Sequence, residues 1–148
     1  MLKFSSAVVC AIVVAFIFAV APAVAETRPV QIALVDPVQI FNAGTSISGV
    51  RLNLIYGRND SVTGVDLGLV GVADSDFTGW QYNFGGNITK GNFSGLQMGF
   101  VNYANSAKGL QLGVVNYAVS LKGLQIGVIN IIGQGGMFPV FPLINWSF

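Results

Sequence analysis

The sequence predicts an all-β domain of tandem strand-turn repeats: an antiparallel meander closed into a small barrel of about eight strands, with a β-solenoid as the alternative. Three observations carry this. A short phrase restarts at Gly49, Gly64, Gly79, Gly95, Gly109 and Gly123, at intervals of 15, 15, 16, 14 and 14 residues. Inside each copy apolar and polar residues alternate, which is the period of a β-strand. Turn formers such as Gly57-Arg58-Asn59-Asp60-Ser61 and Ala73-Asp74-Ser75-Asp76 separate the copies, and no helical period appears after residue 25. A unit this short is one strand and a turn, so copies must pack side by side to bury anything.

The elements follow in chain order. Lys3, the apolar run Ala7 to Ala21 and the small residues Pro22-Ala23-Val24-Ala25 have the layout of a secretory signal peptide, with cleavage expected before Glu26. Cys10 lies within that run, so residues 26–148 contain no cysteine and no cysteine metal site. Val30 to Val35 reads as a first strand, stopped by Asp36-Pro37.

The six repeats come next. With each restart glycine as position one, positions two, four and six are apolar, as in Val50, Leu52 and Leu54 or Leu110, Leu112 and Val114. Positions three and five are polar or glycine; position three holds Arg51, Asp66, Gln81, Gln97, Gln111 and Gln125. A final strand is expected over about 138–148, where Ile144, Trp146 and Phe148 alternate. The domain division is therefore a signal peptide over 1–25 and a β-repeat domain over 26–148.

Composition excludes several function classes. The chain is 53% hydrophobic and 9% charged, and no stretch after the signal is long enough for a membrane helix. Its hydrophobicity is dispersed along strands, as in outer-membrane barrels. With Lys3 set aside, six basic residues face six acidic ones, so no basic field exists for nucleic acid. Histidine is absent, which removes the commonest general base and a triad of the usual kind. Asp60, Asp74 and Asp76 read as solvated turn residues before they read as a calcium site. No cofactor is expected.

The two architectures differ in what each row faces. In the barrel, the apolar row faces lipid and the position-three row faces a narrow interior filled by side chains. In the solenoid, Leu and Val line the core while Gln97, Gln111 and Gln125 form an external amide ladder. Arg51 over Asp66 is a candidate inner-row ion pair. Against the solenoid, Lys108 and Lys122 would stack as like charges roughly 4.8 Å apart. Intervals of 14 to 16 residues also sit more easily in hairpin turns than in stacked coils. The row Trp80, Tyr82 and Phe84 reads as lipid-facing or packed before it reads as a glycan platform. Tyr103 and Tyr117 would suit an interfacial girdle.

The copies Gly-Leu-Gln-apolar-Gly-apolar-apolar-Asn, closed by Pro142-Leu143-Ile144-Asn145-Trp146-Ser147-Phe148, resemble the bacterial surface-repeat proteins of the Gram-negative envelope. The first three copies depart from the pattern, with Arg51 and Asp66 in place of Gln. The resemblance implies an exported envelope protein of unassigned molecular function and supplies no catalytic residues. The closing aromatics Trp146 and Phe148 resemble the strand that outer-membrane assembly machinery reads. The expectation is thus a non-enzymatic structural protein of the outer membrane or cell surface. Its expected partners are outer-membrane lipid and the barrel-assembly machinery. A soluble solenoid that binds a glycan, a host protein or its own copies is the alternative.

Overall fold

The computed structural model describes residues 26–148; the expected signal peptide over 1–25, with Cys10, lies outside them. Every element is a strand: β1 Thr27–Val35, β2 Val38–Gln39, β3 Ser46–Asn59, β4 Val62–Ala73, β5 Phe77–Gln134 and β6 Val140–Ser147. β1 pairs with β3, β3 with β4 and β4 with β5, all in parallel. The 58-residue β5 winds through the last four repeats, about four turns of a β-solenoid. Each repeat is one coil, and equal positions stack: Gly49 on Gly64 on Gly79, Arg51 on Asp66 on Gln81.

The solenoid, the alternative of the two architectures, is what forms; the antiparallel meander is not. Strand length supplies a physical reason. The alternating stretch of each repeat covers positions two to six, whereas a membrane-crossing strand needs about 9–11 residues. Fourteen residues instead make a strand, a tight edge, a returning strand and a second edge, which closes one coil.

The restart glycines are a consequence of that closure. All six have positive φ, from 125° at Gly64 to 147° at Gly49, a region L side chains rarely enter. A Cβ on Gly109 would also run into the carbonyl oxygen of Gly95 in the coil beneath. Variation in coil length is taken up elsewhere. The register shifts between Asn53 and Tyr56 and between Gly68 and Val70, so extra residues bulge out at the edge opposite the restart glycines. Hairpin turns are not needed to absorb intervals of 14 to 16.

The interior has two halves. Beside the restart glycines lies the apolar core, with Ile47, Val62, Phe77, Phe93 and Leu121 stacked in one column and Ala73, Ala104, Ala118 and Ile132 in another. Phe77 and Phe93 stack with ring centroids 5.9 Å apart. The other half is polar and equally buried: Arg51, Asp66, Gln81, Gln97, Gln111 and Gln125 are all 0% exposed.

Side-chain facing therefore reverses the solenoid expectation. Gln and Asn point in, while Leu and Val point out, as the barrel expectation had it. The pairing matches one expectation and the facing matches the other.

Both ends are covered. β2 folds back antiparallel on β1, and the Gln31 amide donates to Phe41 O at 2.7 Å while accepting from Phe41 N at 3.0 Å. At the other end β6 lies antiparallel on the last coil, with Gln125 opposite Asn145 and Leu124 opposite Trp146. The closing strand is a cap that seals the column, not the last stave of a barrel.

Candidate functional site

The buried polar half is organised around Asp66. Its Oδ1 accepts from Arg51 Nε at 2.8 Å and Asn53 Nδ2 at 2.6 Å. Its Oδ2 accepts from Arg51 Nη2 at 2.6 Å, Gln81 Nε2 at 3.2 Å and Asn83 Nδ2 at 2.8 Å. Arg51 donates a further bond to Val72 O at 2.7 Å. The candidate ion pair is thus present, two-pronged and out of water, and its remaining capacity is used by amides.

A carboxylate only accepts, and this sets the direction of the chain of amides above it. Gln81 donates to Asp66, so its oxygen is left to accept from Gln97 at 2.9 Å. Gln97 then accepts from Gln111, and Gln111 from Gln125, each at 2.8 Å. The ladder closes at Gln125, whose Oε1 is buried without a partner. Each of these Nε2 groups also reaches a backbone carbonyl on the returning strand: Tyr103 O, Tyr117 O and Ile131 O.

Position eight, or nine in the longer copy that starts at Gly79, carries a second ladder that sequence reasoning left unplaced. Asn87 donates to Asn102, Asn102 to Asn116 and Asn116 to Asn130, each at 2.8 Å. It runs the opposite way from the glutamine ladder, so the two rows of amide dipoles oppose each other. The signal was the asparagine that ends each of the last three Gly-Leu-Gln copies. Position five makes room for it. A Cβ on Gly113 would fall 2.5 Å from Asn102 Nδ2, so asparagine at eight demands glycine at five. In the first coil the arrangement is exchanged, with Asn53 inside and Gly57 beside it.

Outside, the coil is amphipathic around its rim. Positions six and seven form an apolar edge along the whole column: Leu54 is 64% exposed, Phe84 68% and Val128 60%. The flanks are apolar as well, with Trp80 and Tyr82 stacked at 6.3 Å and Tyr103 and Tyr117 at 5.4 Å. Next to the edge a shallow groove of about 290 Å³ is lined by Tyr82, Phe84, Met98, Phe100, Leu112 and Val114. Trp80, Tyr82 and Phe84 thus point away from the core.

The opposite edge, by the restart glycines, is polar in every coil. It carries Asp60 and Ser61, then Asp74 to Asp76, then Lys90 and Asn92, then Asn105 to Lys108, and Ser120 with Lys122. Lys108 and Lys122 do occupy equal positions of successive coils, but both are exposed, so water and salt screen the repulsion. Asp74 accepts from Arg58 at 2.7 Å and Lys90 at 2.6 Å. Burial pushes its carboxyl up, and the bonds and charges of Lys90 and Arg58 outweigh that, leaving it below its ordinary value. The same bond from Asp74 raises the Arg58 guanidinium. Asp60 accepts from Ser75 and Asp76 from Asn92, so the three turn aspartates are spread over separate contacts. Among the described residues no group of three or more carboxylates, histidines or cysteines could hold a metal ion.

Of the residues singled out in the sequence, Arg51 and Asp66 meet, and Gln97, Gln111 and Gln125 form one continuous ladder. Trp146 packs edge-on against Phe138 at 6.4 Å within the cap, and Phe148 stands 92% exposed beyond it. No protein-family profile, curated protein or solved structure matches this chain.

Proposed function

We propose that the protein is a non-enzymatic structural component of the bacterial outer membrane or cell surface, working as a β-solenoid whose exterior is apolar. The observation that carries this reading is the inverted cross-section. Polar side chains that water would solvate freely are sealed inside, while Leu, Val and Phe side chains cover the outside. An exterior of this extent marks a surface that meets something other than water. The signal-like first 25 residues and the resemblance to surface-repeat proteins support export to the envelope. The ladder amides are 0% exposed and bonded to one another and to the backbone, which suits a structural role.

The test is fractionation of cells expressing the full-length chain. Recovery in the outer membrane, resistant to carbonate and urea washes, is the expected result; recovery in the periplasm or medium would overturn it. A second reading, an exported soluble solenoid that binds a glycan, a host protein or its own copies, draws on the parallel coils and the apolar groove beside Phe84. Soluble recovery would favour it.

A further inference from the structure

We infer that the solenoid lies side-on in a single leaflet of a lipid bilayer, with its axis parallel to the membrane plane, its apolar edge among the acyl chains and its polar edge at the headgroups; this deepens the envelope reading above and rests on it.

Three features of the column support that placement. The first is depth. From the restart glycine to position six is five residue steps, or about 16 Å of strand. Half of a bilayer's hydrocarbon is about 15 Å. The apolar flanks therefore match one leaflet and fall well short of two.

The second is where the charges are. Apart from the buried Arg51–Asp66 pair, and Asp36 at the β1–β2 turn beside Tyr56, the charges of the coils lie along or next to one edge, from Asp60 in the first coil to Lys122 near the last. Standing the column upright across the bilayer would carry the middle of that row, Asp74, Asp76 and Lys90, into hydrocarbon, at a cost of about 2.5–3.5 kcal/mol per charge. Laid flat, the whole row stays at one height.

The third is backbone satisfaction. Lipid offers no hydrogen bonds, so each backbone group must be paired within the protein. The coils pair with one another along both flanks, which leaves the bulged residues of the apolar edge, such as Leu54, Ile55 and Leu69, and the two ends. β2 covers one end. At the other, Met137 N donates to Trp146 O at 3.0 Å on β6, and Pro142 brings no N–H to that edge strand.

A second copy fits the exterior less well than lipid. The apolar surface comprises an edge and two opposed flanks, and one two-fold contact covers one side only. Acyl chains cover all of it. With six positive and six negative charges in residues 26–148, insertion is driven by apolar burial. It should therefore occur in zwitterionic vesicles and persist in high salt.

The experiment uses protein isolated from cells expressing the full-length chain and reconstituted into phosphatidylcholine vesicles with bromines placed shallow or deep in the acyl chains. Trp146→Phe leaves Trp80, on the flank near the polar edge, as the reporter of shallow depth. Adding Trp80→Phe and Phe84→Trp moves the single indole to the apolar edge; Phe84 is mostly exposed, so the larger ring has space. Val128→Trp in the same background is a second edge reporter should the first disturb the fold. The expected result is stronger loss of emission from Trp80 with shallow bromines and from the edge indole with deep ones, unchanged in high salt. Equal depth for both indoles, or no quenching of either, would overturn the side-on placement. If quenching fails while fractionation still returns the protein with the outer membrane, this inference falls and the envelope reading stands. Quenching in the expected order by a protein recovered from the periplasm overturns the envelope reading alone.

Discussion

Replacing Asp66 with asparagine should be among the most damaging single changes available in the polar half of the interior. The side chain keeps its shape but loses its charge and turns an amide NH₂ toward groups that are themselves donors. Arg51, Asn53, Gln81 and Asn83 all donate to Asp66. The Arg51 guanidinium, 0% exposed, is left without a counter-ion. Breaking a buried pair in this way costs about 3–5 kcal/mol, or a fall of roughly 10–20 °C in the unfolding midpoint for a domain of this size. The double variant Arg51→Gln/Asp66→Gln should behave differently, because it converts the first two coils to the glutamine row of the later ones. It should unfold within about 1 kcal/mol of the parent, since a buried ion pair replaced as a unit is often neutral. The assay is thermal unfolding in mild detergent followed by far-UV circular dichroism, with the single variants completing the cycle. Asp66→Asn as stable as the parent, or a double variant no better than the single, would refute the reasoning.

Other perturbations probe separate parts of the design. Gly109→Ala forces a side chain into φ of 128° and against the Gly95 carbonyl; a loss of at least ~1–3 kcal/mol is expected by the same unfolding measurement. Gln111→Leu removes the middle of the glutamine ladder, leaving the Gln97 oxygen unpaired, and should cost about 1–3 kcal/mol. Leu112→Gln, one position along and facing outward, should cost less in detergent. Asp74 has a depressed carboxyl, so its contribution is present above its unfolded value near 3.8 and is lost as pH falls through the lower folded value. Because the group is part-exposed, that contribution is on the order of 1 kcal/mol or less. It should appear as a small acid-side drop in midpoint that Asp74→Asn abolishes.

The repeat made the all-β character legible, since alternation over five residues followed by a turn leaves little else. The stacking was legible too, in Arg51 one repeat before Asp66 and in tyrosine recurring at 103 and 117. Which row faces inward was not legible, because the same alternation suits an apolar core with exposed amides. Gln97, Gln111 and Gln125 satisfy each other and a backbone carbonyl inside, so their burial leaves few groups unpaired. The apolar row is free to face outward for the same reason. Lys108 and Lys122 would oppose stacking only if buried, and exposure is not written in the repeat. Asn102, Asn116 and Asn130 were visible as repeat endings, but their inward direction depends on the bend at positions six and seven. That bend reverses the chain without a glycine or proline pair to announce it.

The most direct test of the parallel, stacked coil is the distance between equal positions of neighbouring repeats. Spin labels on Lys108→Cys/Lys122→Cys, both at the exposed polar edge, report it without touching the interior. Stacked coils put the two backbones about 4.8 Å apart, which gives strong dipolar broadening of the spectrum. An antiparallel meander places those positions at opposite ends of adjacent strands, roughly 17 Å apart or more, and spectra that are the sum of the two single-label spectra would contradict the solenoid.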